Sequence, residues 1–266
     1  MTNMPSDDTL QRLSASAALL RSLHAGPSPL VLPNAWDAAS AKRVEAAGFA
    51  AIATTSGGVA QALGFEDHEG APMEEMAAAT ARLARVVSIP VTVDFEGGYG
   101  LSPQQTAERV IAIGASGLNY EDTDHRGTGV IDADVQAERL ARLKAAAERL
   151  GVPLVINARV DVFVQRLGTP EEQLAEGLRR ARLYREAGAD CVYPILLSDP
   201  EAIREIVAAA EVVNINVRRG GPIGLDAARE LGVRRVSYAT SLFRDTMTWL
   251  ETALAELRPN EASAAG

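Results

Sequence analysis

Eight short, β-branched runs alternate with amphipathic stretches along this chain, and few architectures accommodate such a pattern. The runs predict strands at residues 30–35, 50–55, 90–96, 117–122, 154–161, 191–196, 212–217 and 235–240. The stretches predict helices at Asp37–Ala47, Glu74–Val87, Pro103–Ile113, Ala133–Leu150, Pro170–Ala187, Pro200–Ala209, Leu225–Leu231 and Leu242–Leu257, after a lead-in helix at Asp8–Leu23. A predicted helix therefore follows every predicted strand.

Such repeated βα units predict an α/β fold, specifically a (β/α)₈ TIM barrel. The alternative is a doubly wound open sheet, which usually carries a Gly-rich fingerprint after its first strand. Here the first predicted strand ends in PNAWD instead. We therefore predict a single barrel domain over residues 1–266, with residues 1–28 as an N-terminal helical extension and residues 258–266 as a frayed tail.

Composition narrows the class of protein further. The chain has 35 acidic and 26 basic residues, and its net charge of −9 argues against nucleic acid or an anionic membrane as the main partner. The one cysteine, Cys191, allows no disulfide framework. No long apolar run predicts a membrane span, and the first residues, MTNMPSDDTL, are unlike a secretory signal. We expect a cytoplasmic protein without a membrane or nucleic-acid partner.

Polar residues recur at the carboxyl ends of the predicted strands, where barrels of this class form their active sites. Asp94 and Glu96 end the third predicted strand and, two residues apart, are expected to face the same side. Glu121, on the fourth predicted strand, can join them. Three converging carboxylates repel one another unless a cation lies between them, and oxygen ligands suit Mg²⁺ or Mn²⁺. The sequence thus predicts a metal site; the alternative is a hydrogen-bonded acidic cluster that shares a proton.

Two other features lie at the same strand ends. Backbone N–H groups in the segment TTSGG, at Ser56, Gly57 and Gly58, can cradle an anion such as a carboxylate, although an ordinary turn is the alternative. Arg159, near the end of the fifth predicted strand, is either a structural ion pair or a clamp for a carboxylate or oxyanion.

Several reaction classes are excluded by what the strand ends lack. The two lysines, Lys42 and Lys144, fall on predicted helices, so a Schiff-base aldolase mechanism is not expected. None of the three histidines lies on a predicted strand, which argues against a His-rich zinc site.

The motifs PNAWDAASA, IATTSGGVAQALGFED, VDFEGGYG, LNYED, INARVD and VRRVSYATSLFR follow one another over about residues 30–245. In these motifs and their order the chain resembles the isocitrate lyase/phosphoenolpyruvate mutase superfamily, on its PEP mutase-like branch. The resemblance implies a barrel that binds Mg²⁺ and a 2-oxo acid and forms an enolate-like oxyanion. It also implies a homotetramer of dimers that exchange their last barrel helix, here Leu242–Leu257.

The resemblance also assigns roles. It implies that Asp94 binds the metal directly and that Glu96 and Glu121 hold it through waters. The remaining implied roles are a seat for the substrate carboxylate at Ser56, Gly57 and Gly58, a contact from Arg159 to that carboxylate or the oxyanion, an acid near the reacting carbon at Asp67, and a pocket position at Asn214.

The loop after the fourth predicted strand departs from the family. Isocitrate and methylisocitrate lyases carry a catalytic cysteine there, whereas this loop reads EDTDHRGTG. Phosphonate mutases usually carry a lysine directly after the Glu-Asp pair, and Thr123 stands in its place. His125 is either an acid/base group on a closing lid or a solvated surface histidine.

The function we expect is that of a Mg²⁺-dependent lyase that cleaves or forms a C–C bond in a small 2-oxo or 2-hydroxy di- or tricarboxylic acid through an enolate. Two alternatives remain open. One is phosphonomutase or phosphonopyruvate hydrolase chemistry at the same site, which the missing lysine disfavours. The other is a barrel that binds a 2-oxo acid without catalysis.

Overall fold

A computed structural model describes residues 4–258 of the chain. The strands in this range are β1 (Leu30–Leu32), β2 (Asn34–Ala35), β3 (Ile52–Thr54), β4 (Val91–Asp94), β5 (Gly117–Glu121), β6 (Val155–Val160), β7 (Cys191–Pro194), β8 (Asn214–Asn216) and β9 (Arg235–Ser237). The helices are α1 (Asp7–Leu23), α2 (Ala38–Ala46), α3 (Ser56–Leu63), α4 (Met73–Ala84), α5 (Pro103–Ile113), α6 (Ala133–Arg149), α7 (Pro170–Glu186), α8 (Pro200–Ala210), α9 (Leu225–Glu230) and α10 (Ser241–Glu256). Of the tail predicted at 258–266, only Arg258 lies within the described residues.

The strands pair in parallel, which confirms the predicted α/β class. One sheet has the order β2-β3-β4-β5-β6-β7 and the other the order β1-β9-β8. A single parallel bridge, Val192 with Val213, links β7 to the start of β8. Parallel neighbours need crossover connections, and the amphipathic helices supply them.

The first predicted strand is divided where β1 meets β2. Pro33 separates the two pieces and has no N–H to donate to a strand ladder. The side chain of Asn34 spans this break, because its Nδ2 donates to the Thr54 carbonyl at 2.7 Å and its Oδ1 accepts from the Tyr238 N–H at 2.8 Å. The Asn34 side chain therefore joins the two sheets by hydrogen bonds, in addition to the covalent connection through Pro33.

The starts of the strands are apolar and covered. Leu20 of α1 packs in a buried cluster at this end with Leu30, Leu32, Ala51, Ala53 and Val155. Because α1 fills this end, the opposite ends of the strands are left to the polar residues. The lead-in helix predicted at Asp8–Leu23 is thus present and helps to decide where a ligand can enter.

One helix was not predicted. The segment TTSGG was expected to be a loop, but α3 begins at Ser56, with Thr55 as its N-cap. The Thr55 hydroxyl accepts from the Gly58 N–H at 3.4 Å. Two consecutive glycines lower helix propensity, and here the cap and the surrounding packing outweigh that preference.

The last helix, α10, packs little of its surface within the chain. Only Phe243 among its residues is buried. Large apolar side chains exposed on or directly after it are Trp249, Leu250, Leu254 and Leu257. None of the helices within residues 4–258 combines the length and the apolarity that crossing a bilayer requires.

Candidate active site

Asp94 is the last residue of β4, and its carboxylate is held at both oxygens. Oδ2 accepts from the Ser56 N–H at 3.0 Å, and Oδ1 accepts from Nδ2 of Asn119 at 3.3 Å. The Asp94 N–H donates to the Thr54 hydroxyl at 2.8 Å. The residue predicted to bind a metal directly is thus fixed in orientation by strand β5 and by the first residue of α3.

Glu96 lies near Asp94, but for a different reason from the one predicted. It follows β4 in a turn with φ of 47°, so strand alternation does not orient it. Oε2 accepts from the Glu69 N–H at 2.6 Å, and Oε1 accepts from the Tyr99 hydroxyl. A positive φ in a glutamate is unusual and indicates that tertiary contacts fix this turn.

The electrostatics of Glu96 show that the carboxylates influence one another. Burial raises the pKa of Glu96 to about 8, the Tyr99 hydrogen bond opposes this rise, and the charges of Glu121 and Asp94 add to it. Glu96 is thus buried close enough to Glu121 and Asp94 for their charges to disfavour its ionised form.

Glu121 is the last residue of β5 and is 1% exposed. Nε2 of His125 lies 2.6 Å from its Oε1, and Nη1 of Arg159 lies 2.5 Å from its Oε2, although the second approach lacks hydrogen-bond geometry. Burial raises the pKa of Glu121, and the positive charge of Arg159 opposes the rise. Glu121 thus contacts the guanidinium of Arg159 and the imidazole of His125, which is cationic when protonated.

Arg159 forms an ion pair in this arrangement. Nε and Nη2 donate to the two carboxylate oxygens of Asp161 at 2.7 Å each. The Thr123 hydroxyl donates to the same carboxylate at 2.6 Å. Burial disfavours the charged guanidinium, but Asp161 and Glu121 outweigh it and raise the pKa of Arg159. The ion-pair interpretation of Arg159 therefore describes this state; a contact to substrate stays a prediction.

Gly57 lies against Asp67. A Cβ at position 57 would stand 2.6 Å from Oδ2 of Asp67 and 3.0 Å from the Thr240 hydroxyl. The other carboxylate oxygen of Asp67 is buried and has no hydrogen-bond partner among residues 4–258. The acid predicted near the reacting carbon is thus brought to the start of α3, where Ser56 contacts Asp94.

The predicted anion cradle is only partly free. The Ser56 N–H donates to Asp94 and the Gly58 N–H to Thr55. At Gly58 a Cβ would meet Thr55 Cγ2 at 2.6 Å. The glycines therefore serve close packing at the helix start, which the prediction of an open loop missed.

His125 is packed against the site and not solvated, so that alternative is wrong. A Cβ on Gly97 would lie 2.8 Å from Cδ2 of His125. Contact with Glu121, and to a smaller extent the charges of Glu69 and Glu96, raise the pKa of His125 although burial opposes its protonation. A bridge between Thr123 and Val130 shapes its loop.

Asn214 lies deeper than the other predicted site residues. It is fully buried on β8, its Nδ2 contacts the Ser237 hydroxyl at 3.3 Å, and its register neighbour on β9 is Arg235. The structure does not bring Asn214 into contact with the carboxylates.

Two residues that orient Glu96 were missed by sequence reasoning. Glu69 uses its N–H to bind Glu96 and its Oε1 to accept from the Tyr99 N–H at 2.6 Å. Tyr99, three residues beyond Glu96 in the Gly-rich turn, carried a signal, since a tyrosine among glycines needs a partner for its hydroxyl. Glu69 carried none.

The three carboxylates do not form a preassembled metal cage. Across residues 4–258, no group of three or more Asp, Glu, His or Cys side chains is arranged to hold an ion. The donors nevertheless suit a hard cation, because all of them are carboxylate oxygens. Burial raises the pKa of Glu96, and the nearby charges of Glu121 and Asp94 add to the rise, so a cation here would relieve part of that cost.

Comparison with known proteins places this site in a family. Residues 20–258 match the family described as phosphoenolpyruvate phosphomutase. An uncharacterized Mycobacterium tuberculosis H37Rv protein, Rv1998c, is 34% identical over 215 residues, which are 81% of this chain and 79% of that protein. The 2-methylisocitrate lyase of Escherichia coli K12 is 29% identical over 82% of this chain and 76% of the enzyme.

Several solved structures also resemble this chain. A Burkholderia cenocepacia J2315 protein, provisionally named a phosphonomutase, is 39% identical with a TM-score of 0.84 and covers 90% of this chain and 99% of its own. Structures of an oxaloacetate acetylhydrolase, a 2,3-dimethylmalate lyase and a phosphoenolpyruvate phosphomutase also match. The chain therefore belongs to the phosphoenolpyruvate phosphomutase family within the isocitrate lyase/PEP mutase superfamily, an enzyme superfamily with lyase and mutase members.

Proposed function

We propose that this protein is a divalent-cation-dependent lyase that cleaves or forms a C–C bond in a small 2-oxo or 2-hydroxy di- or tricarboxylic acid. The observation that carries the proposal is the cluster of Asp94, Glu96 and Glu121 beside Arg159 and His125. Lyases among the matched proteins, including 2-methylisocitrate and 2,3-dimethylmalate lyases, support the reaction class.

The cation we propose is Mg²⁺, with Mn²⁺ as a substitute. Asp94 would bind it directly, and Glu96 and Glu121 would hold its waters. When bound, it would supply positive charge where an enolate oxygen develops. Burial raises the pKa of Glu96, and a bound cation would oppose that rise because its positive charge favours the ionised carboxylate.

The protein's own groups account for the rest of the chemistry. Arg159 would exchange its contact with Glu121 for one to a substrate carboxylate or oxyanion while Asp161 keeps it in place. Asp67 has a buried carboxylate oxygen without a partner in the described chain, and so can accept or return a proton near the start of α3. His125, held at Nε2 by Glu121, is a second group that can carry a proton.

P–C bond chemistry is the second candidate. The 39% identity with a provisionally named phosphonomutase favours it. Against it stands Thr123, whose hydroxyl is committed to Asp161 and cannot replace the ammonium group of a lysine. The same cation site would serve either reaction, so only substrate tests separate them.

The proposed function also includes a closed barrel and an assembly of several subunits. We propose that the two sheets close into a (β/α)₈ barrel through the Val192–Val213 bridge and the β1–β9 pair, and that α10 is exchanged between subunits of a homotetramer. The exposed apolar side chains of α10 support the exchange, since a soluble monomer seldom leaves such a row uncovered. We also propose that the protein is cytoplasmic, as the sequence predicts.

The test combines substrates with one substitution. Purified protein would be assayed with Mg²⁺ against oxaloacetate, methylmalates and methylisocitrate, and with phosphonopyruvate by ³¹P NMR. We expect C–C cleavage of one of the acids, its loss in Asp94→Asn, and normal activity in the exposed control Asp226→Asn. Turnover of phosphonopyruvate alone would assign P–C chemistry instead.

Binding without turnover is the remaining outcome. If Mg²⁺ with oxalate raises the melting temperature while no acid in the panel reacts, the barrel is a binding protein and the lyase proposal fails. Unchanged turnover in Asp94→Asn would equally refute the role of the carboxylates.

A further inference from the structure

A fully buried arginine lies beneath the candidate site. Arg235 opens β9 and is the largest side chain that the fold buries completely. It donates from Nη2 to Oδ1 of Asn119 at 3.1 Å, while Nε and Nη1 have no hydrogen-bond partner in the part of the chain that the structure describes. No carboxylate within residues 4–258 pairs with it at ion-pair distance. A buried guanidinium so poorly matched costs folding free energy.

Asn119, which accepts this hydrogen bond, contacts three other side chains through its amide. Oδ1 of Asn119 accepts from Nη2 of Arg235 and also from Nδ2 of Asn157 at 2.8 Å. An amide oxygen has two lone pairs, and both are used. The amide therefore cannot turn over without losing both bonds, and its Nδ2 is directed to Oδ1 of Asp94 at 3.3 Å.

Asp94 receives its orientation from two directions. The Ser56 N–H holds Oδ2 from α3, and Asn119 holds Oδ1 from inside the fold. Loss of the inner contact would leave the carboxylate free to rotate about its single remaining hydrogen bond. Arg235 is thus linked through one residue to the carboxylate that the proposed cation would contact.

We propose that Arg235 is a positioning residue that acts through Asn119 to fix the carboxylate of Asp94. The part of this inference that concerns cation binding rests on the proposed function, whereas the orientation of Asp94 does not. A purely structural arginine would be expected to satisfy most of its donors. Within residues 4–258 Arg235 makes one side-chain hydrogen bond, to Asn119, and this contact is the one through which it can act on the site.

The test compares Arg235→Met and Asn119→Leu, two substitutions of similar size that cut the same link from opposite sides. Crystal structures of the metal-free variants would report whether the amide of Asn119 and the carboxylate of Asp94 keep their contact. Titration with Mn²⁺ would report affinity without reference to turnover. The control is Arg21→Met, which breaks an ion pair with Asp190 but has no link to Asp94.

We expect Arg235→Met to fold with an unchanged or higher melting temperature and to lose the contact between Asn119 and Asp94. Each single variant should bind Mn²⁺ roughly tenfold more weakly, because a hydrogen bond to a charged group is lost. The double variant should also lose about tenfold and not a hundredfold, since the two residues act as one unit. Arg21→Met should keep the affinity of the wild type.

The inference is overturned if Arg235→Met retains both the contact to Asp94 and the affinity for Mn²⁺, or if Arg21→Met weakens binding equally. Should Arg235→Met fail to fold, Arg235→Gln decides by the same two readouts, because it removes Nη2, the group that binds Asn119, while keeping a polar side chain. If the wild type binds no Mn²⁺, the proposed function fails, and the metal-free structures still decide whether Arg235 orients Asp94.

Discussion

Arg159 donates two parallel hydrogen bonds, both 2.7 Å long, to the carboxylate of Asp161, with a single residue between them in sequence. Nη1 of the same guanidinium faces Glu121, and all three side chains are buried. One positive charge thus stands between two carboxylates that water does not reach. The arginine is therefore a structural counter-ion in the resting protein, whatever it contacts during a reaction.

Replacement of Arg159 by methionine should destabilise the protein strongly, because two buried carboxylates lose their compensating charge. We expect a loss of roughly 3–5 kcal/mol in urea unfolding. The matched control is Arg142→Met, whose pair with Glu138 has the same 2.5 Å separation as Arg159 with Glu121 but is 68% and 61% exposed. Exposed pairs contribute under about 1 kcal/mol, so equal losses in the two variants would contradict the account.

Replacement of Gly57 by alanine should displace Asp67. The new methyl group would stand 2.6 Å from a carboxylate oxygen, so the side chain or the start of α3 must move. We expect a stability loss of about 1–3 kcal/mol and a fall in kcat, measured by thermal unfolding and by the lyase assay. Gly26→Ala is the control, because nothing lies closer than 3.6 Å to its added Cβ. Full activity in Gly57→Ala would separate Asp67 from the chemistry.

His24 should make the protein less stable as the pH falls from about 6.5 to about 4. Burial, helped by the charge of Arg235, lowers the pKa of His24 from 6.5 to about 4. Between these values the unfolded chain binds a proton that the folded chain does not, so stability is complete above pH 6.5 and declines below it. Over this pH range the free energy of unfolding should fall by about 3 kcal/mol because of His24.

The measurement compares unfolding of the wild type and His24→Gln across pH 3.5 to 8. Glu96 has the opposite sign, because its raised pKa makes the folded state bind more protons. Its contribution is common to both proteins and cancels in the difference. Parallel stability curves for the two proteins would show that His24 titrates normally.

Replacement of Trp249 by glutamate should dissociate the proposed assembly. Trp249 is 68% exposed on α10, and a charge there would be buried at any interface that the helix enters. Light scattering after size exclusion should find tetramers for the wild type and smaller species for the variant. Glu251→Gln, on the same helix, is the control and should remain tetrameric. A monomeric wild type would dismiss both the tetramer and the exchanged helix.

Residues whose positions depend on the order of the strands could be predicted from the sequence. Asp94 and Glu121 close neighbouring strands, so the polar end of the fold followed from the alternation of strands and helices. Glu96 lies near Asp94, but not because of strand alternation, since it adopts a φ of 47° in a turn where Glu69 and Tyr99 contact it. Such contacts join distant segments and have no periodic signature.

At the start of α3, local sequence preference led to a wrong prediction of secondary structure. Gly57 and Gly58 were assigned to a loop or turn because consecutive small residues expose backbone N–H groups, yet the residues around them leave no room for a larger side chain. Local propensity was overridden by packing that the sequence does not display. Likewise, the hold of Glu121 on His125 depends on how the loop 123–130 folds back, which spacing alone does not specify.

The division of the strands at Pro33 has a mechanical consequence. Asp94, Glu121 and Arg159 all belong to the six-stranded sheet, whereas Arg235 belongs to the three-stranded one. The Arg235–Asn119 hydrogen bond therefore joins the two sheets inside the fold, in addition to the Val192–Val213 bridge and the hydrogen bonds of Asn34. A shift of the three-stranded sheet against the six-stranded one would move Arg235 relative to Asn119, and Asn119 contacts the carboxylate that we propose binds the cation.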